Sequence, residues 1–195
     1  MKRITVLLNM LVLFLLMSGN ALAQRALPGM KGIQVTGGMV DGVYSYSNQS
    51  KAGYYFGAAM ATYAGNGNKW VFGGEYLNRY YPYKDTCIPV AQFTAEGGYY
   101  LNILSDPSKT FFLSLGGSAL AGYETSNWGK KALPDGATLI NKDAFIYGGV
   151  VTLELETYLS DRIVLLLNAR ERALWGNTTG RFHMQFGAGV RLMIN

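Results

Sequence analysis

The side chains that could catalyse a reaction centre on His183, the single histidine of the chain. A histidine activates a serine when an acid orients its ring, so a Ser-His-acid arrangement is the chemistry to consider. The conceivable partners are Ser114, Ser118, Glu154 and Glu171. Neither serine lies in a nucleophile motif such as G-x-S-x-G. We therefore predict that His183 has a structural role, that the chain has no catalytic residue and that the protein is not an enzyme.

Metal and phosphate chemistry has as little support in the sequence. Cys87 is the only cysteine, which excludes an intrachain disulfide and argues against a cysteine-based metal site. Pairs of glycines could suggest a phosphate loop, but they lie inside predicted strands with no helix after them. These pairs are Gly73-Gly74, Gly97-Gly98, Gly116-Gly117 and Gly148-Gly149. We expect no metal, no cofactor and no small-molecule substrate.

The first 23 residues have the pattern of a secretory signal. Lys2 and Arg3 precede an apolar run, and Ala21-Leu22-Ala23 forms a small-x-small cleavage site. We predict a cleaved signal peptide at 1–23 and a single exported domain at 24–195. Without Lys2 and Arg3 the 17 basic residues fall to 15 against 12 acidic residues. This small excess argues against direct contact with nucleic acid.

The residues from Lys142 to Trp175 alternate between apolar and polar side chains, which is the period of a β-strand. One face carries Phe145, Tyr147, Val151, Leu153 and Leu155, then Ile163, Leu165, Leu167 and Ala169 after a polar break; the other includes Glu154, Glu156, Asn168, Arg170 and Arg172. In a soluble sandwich such an apolar face packs into a core. In an outer-membrane barrel it faces lipid, and the polar face lines the interior.

Eight segments have strand character, and no long apolar pattern of helical period interrupts them. The predicted strands are 32–40, 52–63, 69–77, 88–101, 110–123, the two halves of the hairpin at 142–175, and 181–194. Short turns and longer loops alternate between them, and most strands reach the 9 to 11 residues that a tilted membrane-crossing strand needs. The sequence predicts an all-β fold, an eight-stranded antiparallel outer-membrane-type β-barrel.

Aromatic residues gather near the predicted strand ends, where two interfacial girdles would lie. The first girdle would hold Tyr63, Trp70, Tyr99, Tyr100 and Tyr158 beside the short turns; the second would hold Tyr54, Tyr80, Tyr81, Tyr83, Tyr123, Trp128, Tyr147 and Trp175 beside the long loops.

An eight-stranded barrel is just wide enough for side chains to fill, so its inward charges should pair with one another. The predicted interior polar network is Glu75, Glu96, Glu154, Glu156, Asn168, Arg170, His183, Gln185 and Arg191. A last hairpin that turns near Thr178 would place Arg170 opposite His183 and Asn168 opposite Gln185.

Seven longer segments resemble the TraO family of conjugative transposon proteins from Bacteroides-type elements. They are LPGMKG (27–32), GGEYLNRYYPYKD (73–85), IPVAQFTAEGGYYL (88–101), KTFFLSLGGSALAGYET (109–125), LPDGATLINKDAFIYGG (133–149), LELETYLSDRIVLLLNARER (153–172) and GRFHMQFGAGVRLMIN (180–195). The resemblance implies a component of a type IV secretion-like apparatus that transfers DNA during conjugation. It implies no catalytic or cofactor residue.

We therefore expect a structural outer-membrane component of the cell, with outer-membrane lipid and other conjugation-apparatus proteins as its partners. Loops on a rigid scaffold carry recognition, and the candidate partner-contact residues are Tyr80, Tyr81, Tyr83, Lys84, Asp85, Trp128, Lys130 and Lys131. Two alternatives stay open: a lipid-modifying outer-membrane barrel enzyme centred on His183, and a soluble periplasmic lipocalin-like barrel that binds an apolar ligand.

Overall fold

The computed structural model describes residues 25–41, 53–84, 86–133, 135–140, 143–178 and 180–194. The predicted signal peptide lies outside the described residues. Eight strands form the fold: β1 (Lys31–Val40), β2 (Gly53–Tyr63), β3 (Lys69–Tyr83), β4 (Thr86–Ser105), β5 (Phe111–Ser126), β6 (Ala144–Tyr158), β7 (Ile163–Trp175) and β8 (Phe182–Met193). Single 3₁₀ turns occur at Gly65–Gly67 and Asn127–Gly129. No helix among the described residues is long and apolar enough to span a membrane.

The strands form a closed antiparallel barrel, because β1 pairs with both β2 and β8. The predicted fold class is confirmed. A row of paired residues that starts at Lys31 and passes once around the wall returns to β1 at Asp41, ten residues further along. This stagger tilts the strands by roughly 40° from the barrel axis.

The two ends of the barrel differ. At the short-turn end, residues 64–68, 106–110 and 159–162 connect the strands, whereas residues 41–52, 127–143 and 176–181 connect them at the long-loop end. The segment that precedes β1 returns across the short-turn end, where the Arg25 guanidinium donates a 3.1 Å hydrogen bond to Thr110 Oγ1. A cluster of buried side chains closes this end: Ala26, Tyr63, Phe112, Tyr158, Val164, Leu166 and Met193.

One connection differs from the prediction. The segment from Tyr80 to Cys87 was expected to be a loop, but β3 continues to Tyr83 and β4 begins at Thr86. The two strands stay paired out to Tyr83 and Thr86, because backbone groups beyond the barrel wall satisfy one another and Tyr, Thr, Ile and Val favour extended structure. The result is a two-stranded ribbon that extends past the long-loop end.

The wall is apolar outside and charged inside. Val35, Phe56 and Leu153 point outward and are 60%, 60% and 45% exposed, whereas Glu154 beside Leu153 is only 2% exposed. This distribution is the reverse of a soluble sandwich and is typical of outer-membrane barrels.

Some strand glycines are required by close approach across the interior. A Cβ at Gly187 would lie 1.9 Å from the hydroxyl of Tyr55, which donates a 2.8 Å hydrogen bond to Asn168 Oδ1. Only glycine leaves room for this tyrosine to cross from β2 to the opposite wall. Gly117, by contrast, faces outward and a Cβ there would meet nothing within 4 Å.

Candidate functional site

The lower cluster, which we define as Lys69, Glu154, Glu156 and Arg191, lies just above the apolar closure of the short-turn end. Lys69 Nζ is 3.0 Å from Glu154 Oε1 and 2.5 Å from Glu156 Oε1. Arg191 also contacts both glutamates, at 3.1 Å from Glu154 Oε1 and through Nη1 to Glu156 Oε1. Two cations and two anions therefore neutralise each other where water is excluded.

Neutral side chains complete the donor and acceptor set around Arg191. Its Nε and Nη2 donate to Gln34 Oε1 at 2.9 and 2.6 Å, and its Nη1 donates to the hydroxyl of Tyr63 at 2.6 Å. The Tyr63 hydroxyl donates in turn to Glu156 Oε2 at 3.0 Å. Arg191 is 0% exposed, so the burial of this guanidinium depends on these partners.

The upper cluster, which we define as Glu75, Glu96, Arg170 and Arg172, lies closer to the long-loop end. Arg170 contacts Glu75 Oε2 at 2.6 Å through Nη1 and Glu96 through Nη2. Arg172 Nη1 lies 2.9 Å from the other oxygen of Glu75, and Gln185 Nε2 donates to that same oxygen at 2.8 Å. This second layer again combines two cations with two anions.

A third polar group, which we call the rim group, surrounds His183 at the mouth of the barrel. His183 Nδ1 lies 2.6 Å from Arg79 Nη1 and 3.1 Å from Asp41 Oδ2, and Arg79 Nη2 is 2.6 Å from the same Asp41 oxygen. Burial alone would raise the pKa of Asp41, but the His183 hydrogen bond and the Arg79 charge outweigh it and hold the pKa below 3.8. The rim group links β1, β3 and β8.

The candidate catalytic residues do not meet in one place. Ser114 accepts a 3.4 Å hydrogen bond from Lys69 in the lower cluster, and Glu154 belongs to that cluster as well. Glu171 points to the outside of the wall and His183 to the inside. The side chains that contact His183 within the described part of the chain are Asp41 and Arg79, and neither is one of the candidate serines.

The candidate partner-contact residues divide between two structures at the long-loop end. Tyr80, Tyr81 and Tyr83 belong to the β3–β4 ribbon, and Lys84 lies at its tip; Trp128, Lys130 and Lys131 are exposed in the connection between β5 and β6. Asp85 lies outside the described residues.

One ion pair joins the two structures. Lys84 Nζ lies 2.5 Å from Asp135 Oδ2. The hydrogen bond from Lys84 lowers the pKa of Asp135 below 3.8, and the same bond raises the pKa of Lys84 above 10.5. Both groups are therefore charged at neutral pH, and the ribbon tip is tied to the neighbouring loop.

Residues 27–194 match the family described as conjugative transposon protein TraO. The chain belongs to the TraO family. The match covers all eight strands of the barrel, so the family assignment applies to the described domain as a whole.

A solved structure with a TM-score above 0.5 supports the barrel fold of this TraO-family chain. Neisserial surface protein A (NspA) matches with a TM-score of 0.54 and 14% identity, over 84% of this chain and 97% of that chain. The N-terminal β-barrel domain of Pseudomonas aeruginosa OprF matches with a TM-score of 0.45 and 8% identity, over 85% and 99% of the two chains. No curated protein matches the chain.

The structure places all nine residues of the predicted interior network inside the barrel of this TraO-family protein, but the predicted register of the last hairpin is wrong. Arg170 pairs with Gln185, and Arg172 pairs with His183. A shift of two residues keeps every side chain on its own face, so alternation alone does not reveal it.

The predicted network omitted one cation from each cluster, Lys69 and Arg172, although Arg172 was expected on the polar face. Both had a usable signal, because Lys69 has the same parity as Glu75 along β3 and Arg172 the same parity as Arg170 along β7. Three tyrosines expected in the first girdle are also inside: Tyr63, Tyr100 and Tyr158 are 2%, 4% and 3% exposed. That prediction used distance to a turn, whereas strand parity decides the face.

Proposed function

We propose that this TraO-family protein is a structural element of the conjugative DNA-transfer apparatus, embedded in the outer membrane as a rigid barrel. The observation that carries the proposal is the inverted distribution of polarity. Long strands present an apolar outer wall, while most of their charged side chains are enclosed. Each strand has 10 residues or more, which is enough to cross the apolar layer of a bilayer at this tilt.

The filled interior supports a platform and not a channel. Arg191, Glu156 and Lys69 are each 0% exposed and cross the lumen in one layer, above an apolar closure. Between the lower and upper clusters lies a cavity of about 40 Å³, far below the roughly 300 Å³ at which small-molecule sites begin. We therefore propose neither a transported solute nor an enclosed substrate.

Contacts with other proteins of the apparatus would then fall on the ribbon tip and the β5–β6 connection. These two structures lie at the same end of the barrel and the Lys84–Asp135 ion pair joins them. A rigid base with joined loops loses less conformational entropy on binding than separate flexible loops. Net charge gives no support to direct DNA contact.

Location is tested by fractionation together with thiol labelling. The chain should require detergent for extraction and should stay with the envelope after osmotic shock; a periplasmic lipocalin-like barrel would be released. In a Cys87→Ser background, Lys84→Cys should react with a membrane-impermeant maleimide on intact cells. Ser108→Cys, in a short turn, should react only after the outer membrane is opened. Equal labelling of both positions in intact cells would contradict the proposed orientation.

We also propose that the protein is not an enzyme, and a substitution at His183 tests this. His183→Gln keeps a hydrogen-bonding side chain at the rim but removes the general base. We expect DNA transfer, normalised to the amount of barrel in the membrane, to remain at the level of the unaltered protein. Complete loss of transfer with normal abundance would instead favour a reaction at His183. An in-frame deletion of the whole gene should abolish transfer, and reintroduction of the barrel should restore it.

A further inference from the structure

One charged side chain interrupts the apolar outer wall of the barrel. Glu171 in β7 is exposed on the outside, whereas the adjacent Arg170 and Arg172 point into the upper cluster. Its paired neighbours on the outer wall are Val151 in β6 and Met184 in β8. Within the described part of the chain, the Glu171 carboxyl group has no hydrogen bond or ion pair.

Glu171 lies within the apolar band and not at its edge. Trp175 is four residues further toward the long-loop end and stacks on Tyr147, with ring centroids 6.4 Å apart. Four residues of a strand tilted by roughly 40° correspond to about 10 Å along the barrel axis. The other charged side chain that a described strand directs outward is Lys31, the first residue of β1 at the short-turn end.

A carboxyl group at this depth in the membrane needs a hydrogen-bonding or charged partner. It costs free energy to place an ionisable side chain in the apolar layer of a membrane, so a side chain of this kind marks a functional contact. The surrounding surface also permits close approach, because Glu171 lies between Ala169 and Ala173 along β7, and Gly149 of β6 pairs with Ala173. Small side chains of this kind let the backbone of a second membrane segment come near.

We infer that this surface, the Glu171 face, binds an apolar membrane segment of another apparatus protein that presents a lysine or arginine to Glu171. The Glu171 face comprises Gly149, Val151, Ala169, Glu171, Ala173 and Met184. The inference rests on the proposed outer-membrane location. A cation from the partner would supply the charge and the hydrogen-bond donor that the barrel itself does not.

Charge complementarity selects a different protein over a second copy of this chain. In a two-fold dimer the same patch meets itself, so Glu171 of one copy would face Glu171 of the other. The outward cation of the described strands, Lys31, lies at the short-turn end of β1 and not at the height of Glu171. A copy therefore offers the Glu171 face an apolar wall or a like charge.

Site-specific photocrosslinking in cells that carry the complete apparatus tests this inference. A photoreactive amino acid replaces Ala173, and the matched control replaces Ala95, an outward alanine of β4 on another part of the wall. We expect a covalent product with a different protein from Ala173 and not from Ala95. The captured peptide should be an apolar segment that contains a lysine or arginine.

Charge substitutions then separate a specific contact from mere proximity. Glu171→Leu should reduce the Ala173 product about tenfold, as expected from loss of one charge-assisted hydrogen bond, while Glu171→Asp retains more of it. Replacement of the captured cation by methionine should have the same effect as Glu171→Leu. The Glu171→Leu barrel should fold and resist denaturant at least as well as the unaltered barrel, because it removes a charge from the lipid-facing wall.

Several results would overturn the inference: products with lipid only, products with a second copy of the chain, equal products from Ala173 and Ala95, or a product that Glu171→Leu leaves unchanged. These results differ from failure of the proposed function. A chain that osmotic shock releases refutes the membrane location, whereas a detergent-requiring chain with no Glu171-dependent product refutes only the contact.

Discussion

Replacement of Arg191 by methionine is the sharpest test of the paired interior. Methionine has a similar length and removes only the charged, hydrogen-bonding end of the side chain. Arg191 is 0% exposed and contacts Glu154, Glu156, Gln34 and Tyr63. After the substitution the two glutamates share Lys69 as their remaining cation in the lower cluster, so one buried negative charge has no counter-ion.

Breaking a buried ion pair from one side typically costs about 3 to 5 kcal/mol. We expect the free energy of unfolding of Arg191→Met to fall by about this amount. Glu156→Gln in the same chain restores neutrality, because Lys69 then faces Glu154 alone. The double variant should therefore lose about 1.5 to 3 kcal/mol less than the sum of the two single variants, the size of a strong coupling between contacting residues.

The measurement is reversible urea unfolding in lipid vesicles, followed by tryptophan fluorescence. Val190→Ala is the matched control, since Val190 precedes Arg191 in the strand and faces outward, 43% exposed. The control should change the free energy of unfolding by less than about 1 kcal/mol. The reasoning fails if Arg191→Met costs no more than Val190→Ala, or if the effects of Arg191→Met and Glu156→Gln are simply additive.

Three further outcomes follow from the wall and the loops. Leu153→Arg puts a charge on the outer face and should destabilise the barrel in vesicles by about 2 to 4 kcal/mol, against a small effect of Leu153→Ala in the same denaturant titration; equal effects would place Leu153 away from lipid. Gly187→Ala should cost about 1 to 3 kcal/mol by overpacking, whereas Gly117→Ala, where a Cβ meets nothing within 4 Å, should be neutral, and the reverse order would contradict the described interior. The folded-state pKa of Asp135 is lowered below 3.8 and that of Lys84 is raised above 10.5. Their ion pair therefore contributes fully to joining the loops between pH 3.8 and pH 10.5. It is lost as pH falls through the folded pKa of Asp135, and it is lost again as pH rises through the folded pKa of Lys84. Spin labels on the two loops should therefore stay together at pH 7 and separate in an acid titration that passes through the folded pKa of Asp135, and Lys84→Met should separate them at pH 7. Distances that do not respond to either change would show that the link does not hold the loops.

The alternation of apolar and polar side chains along each segment predicts most of the fold. In a regular strand the face that a residue occupies follows from its parity, so Glu154 and Leu153 could be assigned to opposite sides without any knowledge of the neighbouring strands. Eight such segments with alternating turn lengths then led to a closed barrel, and the structure confirms it. The length of the β3–β4 ribbon escaped this reasoning, because whether two strands stay paired beyond the wall depends on the partner strand and not on either segment alone.

The sequence by itself determined the strands, their two faces and therefore the inversion of polarity, because these properties repeat every two residues along a single segment. Only the tertiary structure decided which charges meet. Arg191 reaches Glu156, 35 positions earlier in the chain, and Arg170 reaches Glu75 across the lumen, and such contacts depend on the register and stagger of all eight strands. A register shift of two residues leaves the pattern of each strand unchanged yet moves every cross-strand partner, which is why the ion pairs required the closed barrel.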